Sequence, residues 1–303
     1  MRLLIVEEAL KNHQGHWYEY NKAIVEEAER RVVDVTVLAH KDVTNEIKAE
    51  LNAVPFFSKT SWDQVYFHSN ALVRYLGIVR HNFLVARTMA RHFRSAPKYD
   101  VVLVPTVVLY HWVAWRYLAW RGEGKWFEKL VLTTRNNAGE FNPENGQYIF
   151  TSSSRVLAKV IHSFGPLVGR NSVELASDSS RLASQYADIS SVPFKTYPHP
   201  RDVEQLEPVE SRVKRGKAIT ISTLGPPRWE KGSDLIISAI AKLLKSDLGV
   251  PVEFVLQWNA QVFSPDGTEH VLPEIVTGSH SVRVISESLT SEQYQQEIDQ
   301  ADL

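Results

Sequence analysis

Thr223-Leu224-Gly225-Pro226-Pro227-Arg228-Trp229-Glu230-Lys231-Gly232 is the stretch on which the reading of this chain turns. Upstream of it, Ala218 to Leu224 is a short β-branched run of strand type; downstream, Ser233 to Lys245 repeats apolar residues at helical spacing. A Gly-Pro-Pro turn between the two sets a helix N-terminus at the carboxyl end of a strand. There the unpaired N–H groups and the positive end of the helix dipole favour an anion. Arg228 and Lys231 add two cations, a combination suited to a diphosphate. The local sequence leaves open the plainer reading, a proline-stiffened turn with two solvated cations.

The pattern continues outward in both directions. Towards the C-terminus come strands at Val252 to Trp258 and Val282 to Ile285 and a helix from Ser291 to about Gln300. Ala301-Asp302-Leu303 is expected to open a further strand, so the second domain is expected to be incomplete. Towards the N-terminus, residues 201–216 carry Glu204, Glu207, Glu210, Arg212, Lys214 and Arg215 and almost no large apolar side chain, which is linker composition. They divide a first domain, residues 1–200, from a second, residues 217–303.

The first domain opens with the same alternation. Residues 2–6 form a continuous apolar run, as in a parallel strand covered on both faces. A polar loop with Gly15 and His16 follows, then a helical pattern from Trp17 to about Arg31 and a β-branched strand from Val33 to Ala39, completing a βαβ unit. Further strands are expected at Asp100 to Val104, Lys129 to Thr134 and Val173 to Ala176, with Phe194 to Pro200 as a last one closed by prolines. Trp62 to Phe93 reads as one long helical segment. The fold class is therefore α/β, with two Rossmann-like domains in tandem.

Composition narrows the function classes. With 34 Lys and Arg against 35 Asp and Glu, the net charge of -1 gives no global reason to expect nucleic acid as partner. The absence of cysteine excludes disulfides, thiolate catalysis and cysteine-ligated metal sites, and suits a cytoplasmic protein. The first apolar run is cut short by Glu7 and Glu8, unlike a signal peptide. The most apolar stretch, Val101 to Ala119, is interrupted by Pro105, Thr106, His111 and Arg116, so its pieces fall far short of the ~20 residues of a membrane span.

Open α/β sheets bind ligands at the carboxyl ends of their strands. In the first domain that edge gathers Gly15 and His16, the Thr106 to His111 segment, and Asn136, Asn137 and Glu140. Gly15 can allow close backbone approach or simply supply a turn. Asn136 and Asn137 are candidates for a hydroxylated substrate, or else loop and cap residues. The Gly15 loop lacks G-x-G-x-x-G, which speaks against a dehydrogenase. His111, followed by Trp112, Val113 and Trp115, reads as a satisfied helical histidine, and Asp178-Ser179-Ser180 as a helix cap. The series Arg74, Arg80, Arg87, Arg91, Arg94 and Lys98 is a solvated face or a peripheral contact with an anionic inner membrane face. Trp112, Trp115, Trp120 and Trp126 form either a contact surface or buried packing.

Taken together, the chain resembles the glycosyltransferases of GT-B fold, specifically glycosyltransferase family 4. The resemblance is carried by the Leu3-Ile5-Val6 strand with its Gly15-His16 loop, by Pro198-His199-Pro200, and above all by Gly225, Arg228, Glu230, Lys231 and Gly232. It implies two Rossmann-like domains facing a cleft, with Gly225, Arg228 and Lys231 on the diphosphate of a nucleotide-sugar donor and Gly15 and His16 opposite. It further implies a hexosyltransferase-type reaction to a hydroxyl of a glycan, lipid or small molecule, with retention, no metal and no cofactor beyond the donor. Consistent with that, the sequence has no convincing Asp-x-Asp cluster. The family's second domain continues past residue 303, so this chain is expected to be truncated and is a candidate for inactivity. Two other readings stand beside it: a non-catalytic or degenerate partner module, and a sugar-nucleotide epimerase, which needs carboxylates at the reacting carbons. No catalytic residue is assigned from sequence.

Overall fold

The computed structural model describes residues 1–13, 16–60, 70–108, 111–142, 147–150, 152–200, 219–227, 232–246, 249–263, 268–272 and 280–302. The chain forms two compact units, Met1–Asp202 and Val203–Leu303.

In the first unit the elements run β1 (Arg2–Val6), α1 (His16–Arg30), β2 (Asp34–His40), α2 (Asn45–Leu51), β3 (Ala53–Phe57), α3 (Ala71–Ser95), β4 (Tyr99–Val104), α4 (Trp112–Gly122) and β5 (Phe127–Thr134). The hairpin strands β6 (Glu140–Asn142) and β7 (Gln147–Ile149) follow, then α5 (Ser152–His162), α6 (Gly165–Gly169), β8 (Val173–Ser177), α7 (Ser180–Ser190) and β9 (Lys195–Thr196). Seven strands make one parallel sheet in the order β3-β2-β1-β4-β5-β8-β9, with the order reversing at β1 and β4 as in a doubly wound fold.

The pleat of β1 explains why its sequence is apolar from Leu3 to Val6. Leu4 and Val6 enter one core with α3, α4 and α5, while Leu3 and Ile5 enter the other with α1 and α2. Leu4 and Ile5 are both fully buried, each contributing about 1.5–3 kcal/mol from apolar burial. Neither β3 nor α2 is announced by the sequence pattern; β3 is the edge strand of the sheet, and α2 packs Ile47 and Leu51 into the core beside α1. Pro55 is tolerated in β3 because an edge strand can forgo a ladder donor. The long helix expected from Trp62 is described from Ala71, where Asn70 Oδ1 accepts the N–H groups of Leu72 and Val73; residues 61–69 lie outside the described residues.

The second unit holds β10 (Ile219–Thr223), α8 (Ser233–Leu243), β11 (Val252–Gln257), the short pair β12 (Val262–Phe263) and β13 (Glu269–His270), β14 (Ser281–Ile285) and α9 (Ser291–Gln300). Its parallel sheet has the order β10-β11-β14, over a core of Ile240, Val252, Phe254 and Leu256. Thr290 and Gln293 close a capping box on α9, and Arg283 ties β14 to that helix through two hydrogen bonds to Glu297, 2.8 and 2.7 Å. Asp302 lies beside the outer edge of β10. Its N–H donates to the Thr220 carbonyl at 2.8 Å, and its Oδ2 accepts the Thr220 N–H at 2.8 Å.

Candidate functional site

The carboxyl edge of the first sheet gathers buried titratable groups from four elements. Just past β1, Glu7 is 2 % exposed, with Oε2 accepting the Thr106 hydroxyl at 3.0 Å and Oε1 the Ala9 N–H at 3.3 Å. Burial pushes its carboxyl up to about 7, against the Thr106 and Ala9 hydrogen bonds and the nearby Arg135 charge. Arg135, at the end of β5, stacks its guanidinium 3.9 Å from the ring centroid of Tyr20 on α1. Tyr20 also meets His199 edge to face, with centroids 5.2 Å apart.

Glu8 reaches two imidazoles. Its Oε2 is 3.3 Å from His81 Nε2, on α3, and its Oε1 is 3.4 Å from His111 Nδ1, at the N-cap of α4. The two rings are stacked, centroids 4.0 Å apart and planes within 6°. Burial holds His111 down at about 4, with Glu8 pulling the other way and His81 adding to the depression. His111 is partnered, as its place beside Trp112 and Trp115 suggests, but it stands at the N-cap of α4. It precedes the helix and turns into a polar cluster that the sequence does not join together. Asn82, one residue beyond His81, binds the start of α4 by accepting the Ala114 N–H at 2.9 Å.

Glu8, His81 and His111 are residue types that hold metals, and their ligand atoms lie within 4.8 Å of one another. The stacked planes bear on that use. An imidazole lone pair lies in its ring plane, so two parallel rings aim side by side, and a single ion about 2.0–2.1 Å from both nitrogens would lie well off each plane. As arranged, the carboxylate is shared between two imidazoles, a pattern that moves or holds protons.

The residues singled out by sequence distribute unevenly. Asn136 is half-buried and held through its backbone carbonyl, which accepts the Tyr186 hydroxyl at 2.9 Å, beside Arg135; Asn137 is exposed. His16 is the first residue of α1, and Gly15 lies outside the described residues. In the second unit Gly225 follows β10 with φ 98°, which a side chain would strain, and its N–H donates to Gln257 Oε1 at 2.7 Å. Gly232, at φ 75°, is the N-cap of α8 and has no side chain with which to cap it. Arg228 and Lys231 lie outside the described residues. Sequence reasoning missed Glu8 and His81. An acid immediately past the first strand was the available signal for Glu8, whereas His81 sits among arginines in a helix and carries none.

No family model matches the sequence, and no curated protein matches it. Among solved structures the chain is similar to MurG from Acinetobacter baumannii, with TM-score 0.45 and 11% identity over 99% of this chain and 71% of that chain. It is similar also to the glycotransferase of kitacinnamycin, with TM-score 0.48 and 12% identity over 96% and 73% of the two chains. A third is an alpha-glucosyltransferase in complex with UDP, with TM-score 0.48 and 12% identity over 99% and 72%.

Proposed function

We propose that this chain is of glycosyltransferase type and moves a hexosyl group from a nucleoside-diphosphate sugar to the hydroxyl of a glycan, lipid or small molecule, with retention and without metal. The donor diphosphate is assigned to the turn from Gly225 to Gly232, with Arg228 and Lys231 as its cations. The observation that carries the reading is the geometry of that turn's two ends. Gly225 leaves β10 in the left-handed region, and Gly232, a left-handed N-cap without a side chain, opens α8, so the turn ends at a helix N-terminus. Asp234 already complements the helix dipole in that first turn, so an arriving anion depends on the added charge of Arg228 and Lys231. Those cations act where charge grows as the glycosidic bond breaks, which stabilises the transition state more than the ground state. Asn136, Asn137, Gly15 and His16 are assigned to the acceptor side, together with Arg135 and Glu7. Titration calorimetry with a panel of nucleoside diphosphates tests this reading. Arg228→Ala is expected to cost about 1.5–3 kcal/mol, and unchanged affinity rejects the role.

One observation favours a second reading, a sugar-nucleotide epimerase. Glu7, held near neutrality, and the Glu8 pair with its imidazoles supply the acid and base groups such a reaction needs. Incubation with nucleotide sugars in deuterated water separates the two: deuterium at a sugar carbon marks the epimerase, and its absence with transfer to an acceptor marks the transferase.

A further inference from the structure

α3, α4 and α5 bury their inner faces in one core, on one side of the first sheet, so their outer faces form a shared surface. Asn82 joins α3 to α4, and Arg116 Nε joins α4 to the residue after α5 by donating to the Ser163 carbonyl at 2.9 Å. A soluble layer of this kind ordinarily turns polar residues outward. This one does not. On α3, Leu72, Leu76, Val79 and Phe83 follow one stripe at helical spacing, and Leu72 and Phe83 are 64% and 61% exposed. On α4, Val113, Tyr117 and Trp120 form a second stripe, with Trp120 61% exposed, and Val156 is exposed on α5. A groove of about 460 Å³ between α4 and α5 is lined by Val113, Tyr117, Trp120, Val160, Arg116 and Lys159.

Charge on the same three helices is equally one-sided. α3 carries five arginines, α4 two, and α5 one arginine and one lysine, while none of the three contains an aspartate or glutamate. The whole chain has net charge -1, so this is segregation of charge and not a basic protein. Arg80, Arg87, Arg91 and Arg94 are exposed, and among the described residues they make no ion pair.

We propose that the outer face of α3, α4 and α5 docks on the surface of an anionic lipid bilayer, the Leu72–Phe83 and Val113–Trp120 stripes entering the headgroup boundary and the flanking cations meeting lipid phosphates. Each alternative occupant leaves something unmatched. A second copy of the chain would set one acid-free cationic layer against another. A nucleic acid backbone would match the cations but leave leucine, valine and phenylalanine in water. An anionic membrane surface matches both properties at once. Trp120 and Tyr117, apolar with one polar tip, suit the interfacial depth. The inference is independent of the reaction proposed above.

The test is co-sedimentation of the full chain with phosphatidylcholine vesicles, with and without a third of phosphatidylglycerol, alongside tryptophan fluorescence. Binding is expected only to the anionic vesicles, weakened by added salt, with a blue shift that Trp120→Phe removes. Leu76→Glu with Phe83→Glu, and separately Arg80→Glu with Arg87→Glu, should each weaken binding at least ~10-fold. Circular dichroism and Tm of these exposed-site variants should match those of the parent. Failure to bind anionic vesicles overturns the proposal, and so does binding that neither double variant weakens. A concentration-dependent dimer abolished by Leu76→Glu with Phe83→Glu would assign the face to self-association instead. Binding of duplex DNA in preference to vesicles, lost in Arg80→Glu with Arg87→Glu, would assign it to nucleic acid.

Discussion

His81 and His111 lie face to face, 4.0 Å between ring centroids, and one carboxylate, that of Glu8, reaches both. Burial disfavours charge on His111, and the neighbouring His81 adds to that effect. The cluster thus keeps His111 neutral while the adjacent Glu7 keeps its proton to an unusually high pH. Acid and base forms stand together at one sheet edge near neutrality.

This pairing predicts an unusual pH profile of stability. Burial lowers His111 from 6.5 to about 4, so the folded state binds fewer protons there and stability is lost as pH falls through that window. Glu7 is raised from 4.5 to about 7, so the folded state binds more protons and stability is lost as pH rises through it. Each effect amounts to about 3 kcal/mol at full extent, and where the windows overlap they oppose. The parent should therefore be nearly flat between pH 4.5 and 6.5 as far as these two groups decide it. Glu7→Gln should gain stability with rising pH there, and His111→Gln should lose it. Urea unfolding at several pH values reads the slopes, and three parallel profiles would sink the prediction.

Asn82→Ala should destabilise the first unit by about 1–3 kcal/mol, because it strips the buried Ala114 N–H of its acceptor at an N-terminus that His111 does not cap. It should also loosen the register of α3 on α4 that holds the two imidazoles together. Histidine ring resonances followed by NMR would report that second effect, and an unchanged His111 titration would limit Asn82 to capping.

Much of the fold was legible in the sequence because buried parallel strands leave a signature that helices do not blur. Leu3 to Val6 is a continuous apolar run, Val173 to Ala176 and Val252 to Trp258 are mostly apolar runs broken by Glu174, Glu253 and Gln257, and each is a strand within a residue or so of its expected ends. α2 and β3 escaped because an edge strand with Pro55 and an exposed face lacks that signature. The tryptophans show the limit of spacing alone. Trp112 and Trp115 are buried while Trp120, on the same short helix, is exposed, since the helix has one face on the core. The candidate site was less legible. Its members come from β1, α3, the α4 N-terminus and β5, elements that only the sheet order brings together.

Gly225 and Gln257 set up a third experiment. Gly225→Ala forces a side chain into the left-handed region at a cost of about 1–2 kcal/mol. Gln257→Ala removes the acceptor of the Gly225 N–H and the 3.1 Å donation from its Nε2 to the Glu287 carbonyl, which bridges the ends of β10 and β14. Loss of those bonds should cost about 1–3 kcal/mol. If the turn binds a diphosphate, both variants should weaken nucleoside diphosphate binding beyond what their unfolded fraction explains, which calorimetry well below their Tm can measure.

Trp112 provides the last prediction, because packing and polarity pull its contribution in opposite directions. The ring is fully buried, edge-on to Phe164 and Phe194 with centroids 5.8 and 6.2 Å away, and its Nε1 has no hydrogen-bond partner among the described residues. Trp112→Ala removes the ring and leaves a cavity, for which about 3–5 kcal/mol is expected. Trp112→Phe keeps an aromatic ring and deletes the unpaired donor, relieving a desolvation cost of about 1–3 kcal/mol that offsets part of the lost area. The phenylalanine variant should therefore sit much nearer the parent than the alanine variant, by more than ring size accounts for. Comparing both with the corresponding Phe164→Leu and Phe164→Ala pair, where no buried donor is removed, isolates the polar contribution. Equal spacing in the two series would mean that the indole N–H costs the fold nothing.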